Sequence, residues 1–167
     1  LGNIGNLHQE LGDTEQAISF YHRARLLASE IGDQHTESVQ LGNLRIVYSN
    51  IEEYDMAISF YKQSIKIARQ TSNLFYEGIH LGNLGDLLTK QERWDEAAKH
   101  LQNAIDICTT ILPAAAGAFK GSLAWVYAKT SKISEAKELL KSGEEEVKVI
   151  PLEHGKFLCK KAKVLHL

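Results

Sequence analysis

The tripeptide Leu-Gly-Asn stands at residues 1–3, 41–43 and 81–83, returning every 40 residues. The pentapeptide Ala-Ile-Ser-Phe-Tyr at 17–21 recurs unchanged at 57–61, and its alanine comes back as Ala97 and, one residue early, as Ala136. The fourth unit is therefore one residue shorter, with Lys120-Gly121-Ser122-Leu123 aligned on Leu81-Gly82-Asn83-Leu84. A period held over several units dictates an array in which each unit buries its apolar face on its neighbours. Repeats are expected at about 1–38, 39–78, 79–117 and 118–150, with 151–167 a partial unit supplying a capping helix, all within one array.

Each unit reads as two helices. Leu41, Leu44, Tyr48 and Ile51 recur at three- and four-residue steps, as do Ala57, Ile58, Tyr61, Ile65 and Ala68. Such stripes belong to helices with one buried face. Gly12-Asp13, Glu52-Glu53 and Glu92-Arg93 supply the turns inside units, and Gly32-Asp33 and Ser72-Asn73 those between them. Asp13 followed by Gln16 fits a side-chain cap, and Pro113 suits the first turn of a helix, where its missing N–H costs nothing. Only two prolines occur in the chain, which leaves room for uninterrupted helices.

Small residues fall in columns where two helices must approach closely. Gly5 and Gly85 match Ala124; Ala17, Ala57, Ala97 and Ala136 form a second column; Ala24, Ser64, Ala104 and Gly143 form a third. Cys108, aligned with Ala28 and Ala68, is expected to be a small core residue. Arg45 breaks the first column, so its stem is expected to run between helices with its head in water.

First helices built on leucines with a following glycine, and second helices carrying residues such as Ala17, Tyr21 and Ala24, resemble the tetratricopeptide repeat. The usual unit of that family is about 34 residues. The longer form here, with Leu-Gly-Asn opening the first helix, is similar to the repeats of the LGN-like and kinesin-light-chain-like proteins. The resemblance implies an all-α fold, a right-handed superhelical solenoid of antiparallel helix pairs. It also implies protein-binding work rather than catalysis, on a concave wall lined by the first helix of each unit.

Composition narrows the alternatives. The formal net charge is −2, which gives no global field toward nucleic acid or an anionic membrane. No apolar run approaches the roughly 20 residues a bilayer-spanning helix needs. Two cysteines are too few for a disulfide framework and lack metal-ligand spacing, so a reducing, cytoplasmic setting is expected. The seven histidines share no ligand-like spacing. There is no phosphate loop and no nucleophile motif, so no catalytic residue, cofactor or metal is expected. Glu144-Glu145-Glu146 reads as a solvated helix face, and Lys160, Lys161 and Lys163 are too local for a nucleic-acid footprint. A start at Leu1 and an end at Leu167, inside an apolar-periodic run, suggest a segment of a longer protein.

With each leucine stripe turned inward, the concave wall receives Asn3, Asn6 and Glu10; Asn43, Ile46 and Asn50; Asn83, Asp86 and Lys90; and Ser122, Trp125 and Lys129. Asn3, Asn43 and Asn83 make a ladder, each beside a glycine (Gly2, Gly42, Gly82). An asparagine amide both donates and accepts, so it suits the backbone of an extended ligand, and the glycine would let that backbone approach. Inner helices about 10 Å apart would meet a strand rising about 3.3 Å per residue once every three residues or so. The expectation is a scaffold that holds an extended peptide or a helix of a partner protein, with Trp125 as an aromatic anchor. Other readings are a sensory or regulatory segment of a kinase, ATPase or transcription regulator, and self-association through the end repeats.

Overall fold

In a computed structural model, which describes residues 1–166, the links between helices share one device. The second residue after six of the helices adopts a left-handed conformation: Gly12 (φ 78°), Gly32 (72°), Glu52 (62°), Ser72 (52°), Glu92 (56°) and Ser131 (63°). A left-handed residue ends a helix by folding the chain back on its last turn. Glycine takes this conformation freely at two of the links, and glutamate or serine holds it at the other four. Two links are different: Leu112 (φ −151°) and Ile150 (φ −118°) are extended, and Pro113 and Pro151 open the helices that follow them in the first turn.

The resulting helices are α1 (Gly2–Glu10), α2 (Thr14–Glu30), α3 (Gln34–Asn50), α4 (Tyr54–Gln70), α5 (Leu74–Lys90), α6 (Trp94–Ile111), α7 (Pro113–Lys129), α8 (Ile133–Val147) and α9 (Pro151–Leu165). The fold is all-α, with no strand among the described residues. Asp13 caps α2 by accepting from the Gln16 N–H at 3.3 Å, as its spacing predicts, and Asp33 and Asn73 do the same for α3 and α5. Leu167, the last residue of the expected capping unit, lies outside the described residues.

The chain divides into two compact units, Leu1–Thr71 and the residues from Ser72 onward. In the first, α1 pairs with α2 and α3 with α4 around Ala17, Tyr21, Leu41, Leu44, Val47 and Phe60. In the second, α5 pairs with α6, α7 with α8, and α9 lies on both α7 and α8. Pairs are antiparallel: Gly78 faces Cys108 while Gly85 faces Leu101. The second alanine column is fully buried at Ala17, Ala57, Ala97 and Ala136. Cys108 is likewise buried, and loss of solvent pushes its thiol pKa up, as befits an unreactive core group.

Two expectations are corrected. The Arg45 head is not left to water alone: its guanidinium lies 4.9 Å from the Tyr61 ring centroid and Nη1 donates to the Tyr61 hydroxyl at 3.0 Å. A cation over a phenol face replaces the small-residue contact that Gly5 makes with Tyr21, and desolvation strengthens it. The acidic run is not simply solvated either. Glu144 accepts from Lys161 at 2.6 Å and lies 3.9 Å from His154, and Glu146 accepts from Lys120 at 2.5 Å. The Lys161 hydrogen bond holds the Glu144 carboxyl below the usual carboxylate range. Glu144 therefore helps dock α9 on α8 through Lys161, while Glu146 and Lys120 tie α8 to α7.

Candidate functional site

In the first unit the expected wall residues differ in how free they are. Asn3, Asn6 and Glu10 on α1 and Ile46 and Asn50 on α3 are exposed, and Asn43 is half-buried. Gly5 leaves no side chain between α1 and Tyr21, so the phenol of α2 passes across it to the polar face of α1. There its hydroxyl lies 2.9 Å from Asn6 Oδ1 and 2.7 Å from Gln9 Oε1. A phenol has one proton, so one of the two amides must turn its N–H toward it. Burial, with the Glu10 carboxylate adding to it, pushes the Tyr21 pKa up and keeps it a donor. Asn43 Nδ2 in turn donates to Asn6 Oδ1 and Gln40 Oε1, both at 3.5 Å. The structure thus brings Asn6 and Asn43 together in an amide cluster.

In the second unit α5, α7 and α9 line a groove of about 550 Å³. Ile79, Asn83 and Asp86 form the α5 wall, Ala114, Ala115 and Ala118 the α7 floor, and Glu153, Lys156 and Lys160 the α9 wall. Asn83 and Asp86 are half-buried, while Lys90 is exposed at the end of α5. Trp125 is half-buried against the α7–α9 core, with the exposed Lys129 ammonium 4.8 Å from its ring centroid. Ser122 is buried, and its hydroxyl accepts from Lys160 Nζ at 2.5 Å. The same ammonium lies 3.9 Å from Asp86. Lys160 is a further wall residue, in the register of Asn83 and Ser122 one first helix further on.

The glycine column also has another role than expected. A Cβ on Gly82 would lie 2.1 Å from the tip of the Phe119 ring, and one on Gly121 would lie 2.8 Å from Phe157. Each glycine is a seat for an aromatic ring of the next first helix, so no ledge is left there for a ligand backbone. Gly42 is the exception, with open space around the Cβ position. Gly42→Ala is expected to raise stability by about 0.5–1 kcal/mol, since alanine removes the entropic cost of a mid-helix glycine without a clash. Urea unfolding checks this, and a loss of stability would show that the space is not free.

Among the described residues no group of histidine, cysteine, aspartate and glutamate is arranged to hold a metal ion. No helix there is long and apolar enough to cross a membrane.

Tetratricopeptide repeat models match residues 1–70 and, separately, 80–114, which together take in more than half of the chain. The chain belongs to the tetratricopeptide repeat family. Solved structures agree with this fold. BtubC (BKLC) from P. vanneervenii superimposes with a TM-score of 0.81 at 16% identity, over 96% of this chain and 68% of that one. Aspartyl phosphate phosphatase F from Bacillus subtilis gives 0.83 at 15% identity, over 98% of this chain. This chain spans only 44% of that phosphatase's length. The nearly identical TPR-like repeats of a chain described as a Podosopora anserina kinesin light chain give 0.69 at 15% identity, covering 99% and 89%. At such identities the likeness speaks for the fold alone. Comparison with curated protein sequences finds no match.

Tetratricopeptide repeats generally mediate protein–protein interaction and are typically scaffolds rather than catalysts. In this member of the family, the first-helix faces differ between the units. The amide cluster of α1 and α3 is knitted to itself, whereas the α5–α7–α9 face is hollow.

Proposed function

We propose that this chain is a protein-interaction scaffold whose first helices hold a peptide segment of a partner protein, extended or helical. The groove of about 550 Å³ carries the reading, because it joins an apolar floor to polar walls on three consecutive first helices. Its size falls inside the roughly 300–1,000 Å³ of ordinary binding clefts, which pair an apolar lining with a few placed polar groups. Asn83 is the group best placed to pair with a ligand's backbone, since its amide both donates and accepts at the groove wall. Asn43 serves less directly, being already bonded to Asn6 and Gln40. The repeats are read as α1–α2, α3–α4, α5–α6 and α7–α8, with α9 opening a fifth.

Peptides selected from a random display library against the whole chain test this reading. Asn83→Ala is expected to weaken the selected peptides about five- to tenfold, the worth of one hydrogen bond of about 1 kcal/mol or slightly more, with the melting temperature unchanged. A library that yields no binder, or binders indifferent to Asn83→Ala, would count against it. Asn43→Ala is expected to change affinity less.

A further inference from the structure

The chemistry of the same groove points to one kind of occupant. Resting on the reading above, we propose that the α5–α7–α9 groove takes an acidic, amphipathic segment of a partner, with apolar side chains on the alanine floor and carboxylates against a lysine rim.

The floor is hollow because α7 has lost bulk there. Ala114, Ala115 and Ala118 stand 39 residues after Phe75, Tyr76 and Ile79 of the preceding first helix. Where α5 carries two aromatic rings and an isoleucine, α7 carries three methyl groups, and Leu112, Phe119, Ile150 and Phe157 complete an apolar lining. Such a surface gains most from apolar side chains that displace its water.

The rim is charged, and one sign predominates. Lys156 and Lys160 line the groove. Lys90 and Lys163 follow one turn further along the same faces of α5 and α9, and Lys129 stands about three turns beyond Ala118 on that of α7. Against these five lysines the faces set only Asp86 and Glu153, although the whole chain carries a formal charge of −2. Positive charge is thus gathered here in a chain that is acidic elsewhere. The first unit has no such field: its corresponding positions are Asn3, Asn6, Glu10, Asn43, Ile46 and Asn50. Lys156 pairs with Glu153 at 2.8 Å, and Lys160, which keeps its hydrogen bond to Ser122, lies 3.9 Å from Asp86. These pairs are solvent-accessible and weak, so an arriving carboxylate can share either ammonium without breaking a buried bond. Complementary charge of this kind sets partner choice and speeds encounter, and salt screens it.

The probes are two synthetic peptides of about 12 residues, one mixing glutamate with leucine and phenylalanine, the other with every glutamate changed to lysine. Fluorescence anisotropy against the whole chain, at low and high salt, reads their affinities. The acidic peptide is expected to bind at least about tenfold more tightly at low salt and to lose most of that advantage at high salt. Lys156→Glu, at an exposed position, should cut its affinity about three- to tenfold. Ala114→Phe, which restores the bulk found at Phe75, should weaken both peptides while helix content and melting temperature stay unchanged. Equal or tighter binding of the basic peptide, no binding of either, or indifference to both substitutions would overturn the proposal. Selected library peptides that are neutral or basic would overturn it too, yet leave the interaction reading standing; a library without binders would remove both.

Discussion

Phe157→Ala is expected to lower the free energy of unfolding by about 3–5 kcal/mol, measured by urea denaturation, the usual cost of emptying a buried aromatic site. The ring is 1% exposed and stands in a seat made of two glycines, with Gly121 of α7 and Gly143 of α8 both approaching within 3 Å of it at their Cβ positions. The two glycines have no side chain with which to fill the space left behind. Val164 is the other side chain of α9 buried in the same core. Lys160–Ser122 and Lys161–Glu144 depend on α9 being held in register, and part-exposed polar contacts of this sort replace little of the lost burial. The α9 amides should therefore exchange with solvent before those of α7 and α8, and the groove should lose its α9 wall. A loss under about 1 kcal/mol would mean that the charged contacts, rather than the ring, dock α9.

The period made most of this architecture legible, because helix pairs in register must repeat their small residues at the crossings. Ala17, Ala57, Ala97 and Ala136 reveal the crossings by alignment alone, and all four are fully buried. What fills the space beside a small residue is harder to read, since the partner lies on another helix. Gly82 and Gly121 look like the same open ledge as Gly42 in the sequence, but Phe119 and Phe157, 37 and 36 residues further on, occupy them. The aligned positions Gln40 and His80 are not phenylalanines, which hid the pattern. Arg45 illustrates a second limit: side-chain snorkelling predicts a head in water, but a phenol within reach is a better partner than its sequence position suggests. The run Ala114-Ala115-Ala116-Gly117-Ala118 replaces bulkier residues in the register of α5, and loss of bulk on one first helix makes a hollow. Ser122 sits in the wall register of α7, but α9 brings Lys160 down on it.

Gly117→Ala is expected to destabilise the second unit by about 1–3 kcal/mol, the range for overpacking a closed contact. A new methyl at Gly117 would lie 2.6 Å from the Gly143 carbonyl oxygen and 2.8 Å from Glu146 Cβ and Val147 Cγ1. The contact is reciprocal, since a methyl on Gly143 would lie 2.9 Å from the Gly117 carbonyl oxygen. Two backbones touch here, and a carbonyl oxygen has no rotamer by which to escape. Relief requires α7 and α8 to part, which would unseat Ala136, Leu140 and Val147 and stretch the Lys120–Glu146 pair. Alanine regains about 0.5–1 kcal/mol of helix propensity, less than the clash costs. Gly82→Ala should be milder, because the obstacle there is a ring tip that can swing, and Gly42→Ala should have the opposite sign. Gly143→Ala should resemble Gly117→Ala, and the double variant should lose less than the two losses combined, because once the helices have parted the second methyl meets an open crossing. Additive losses, or a Gly117→Ala variant as stable as the parent, would mean that the crossing is not closed at this point.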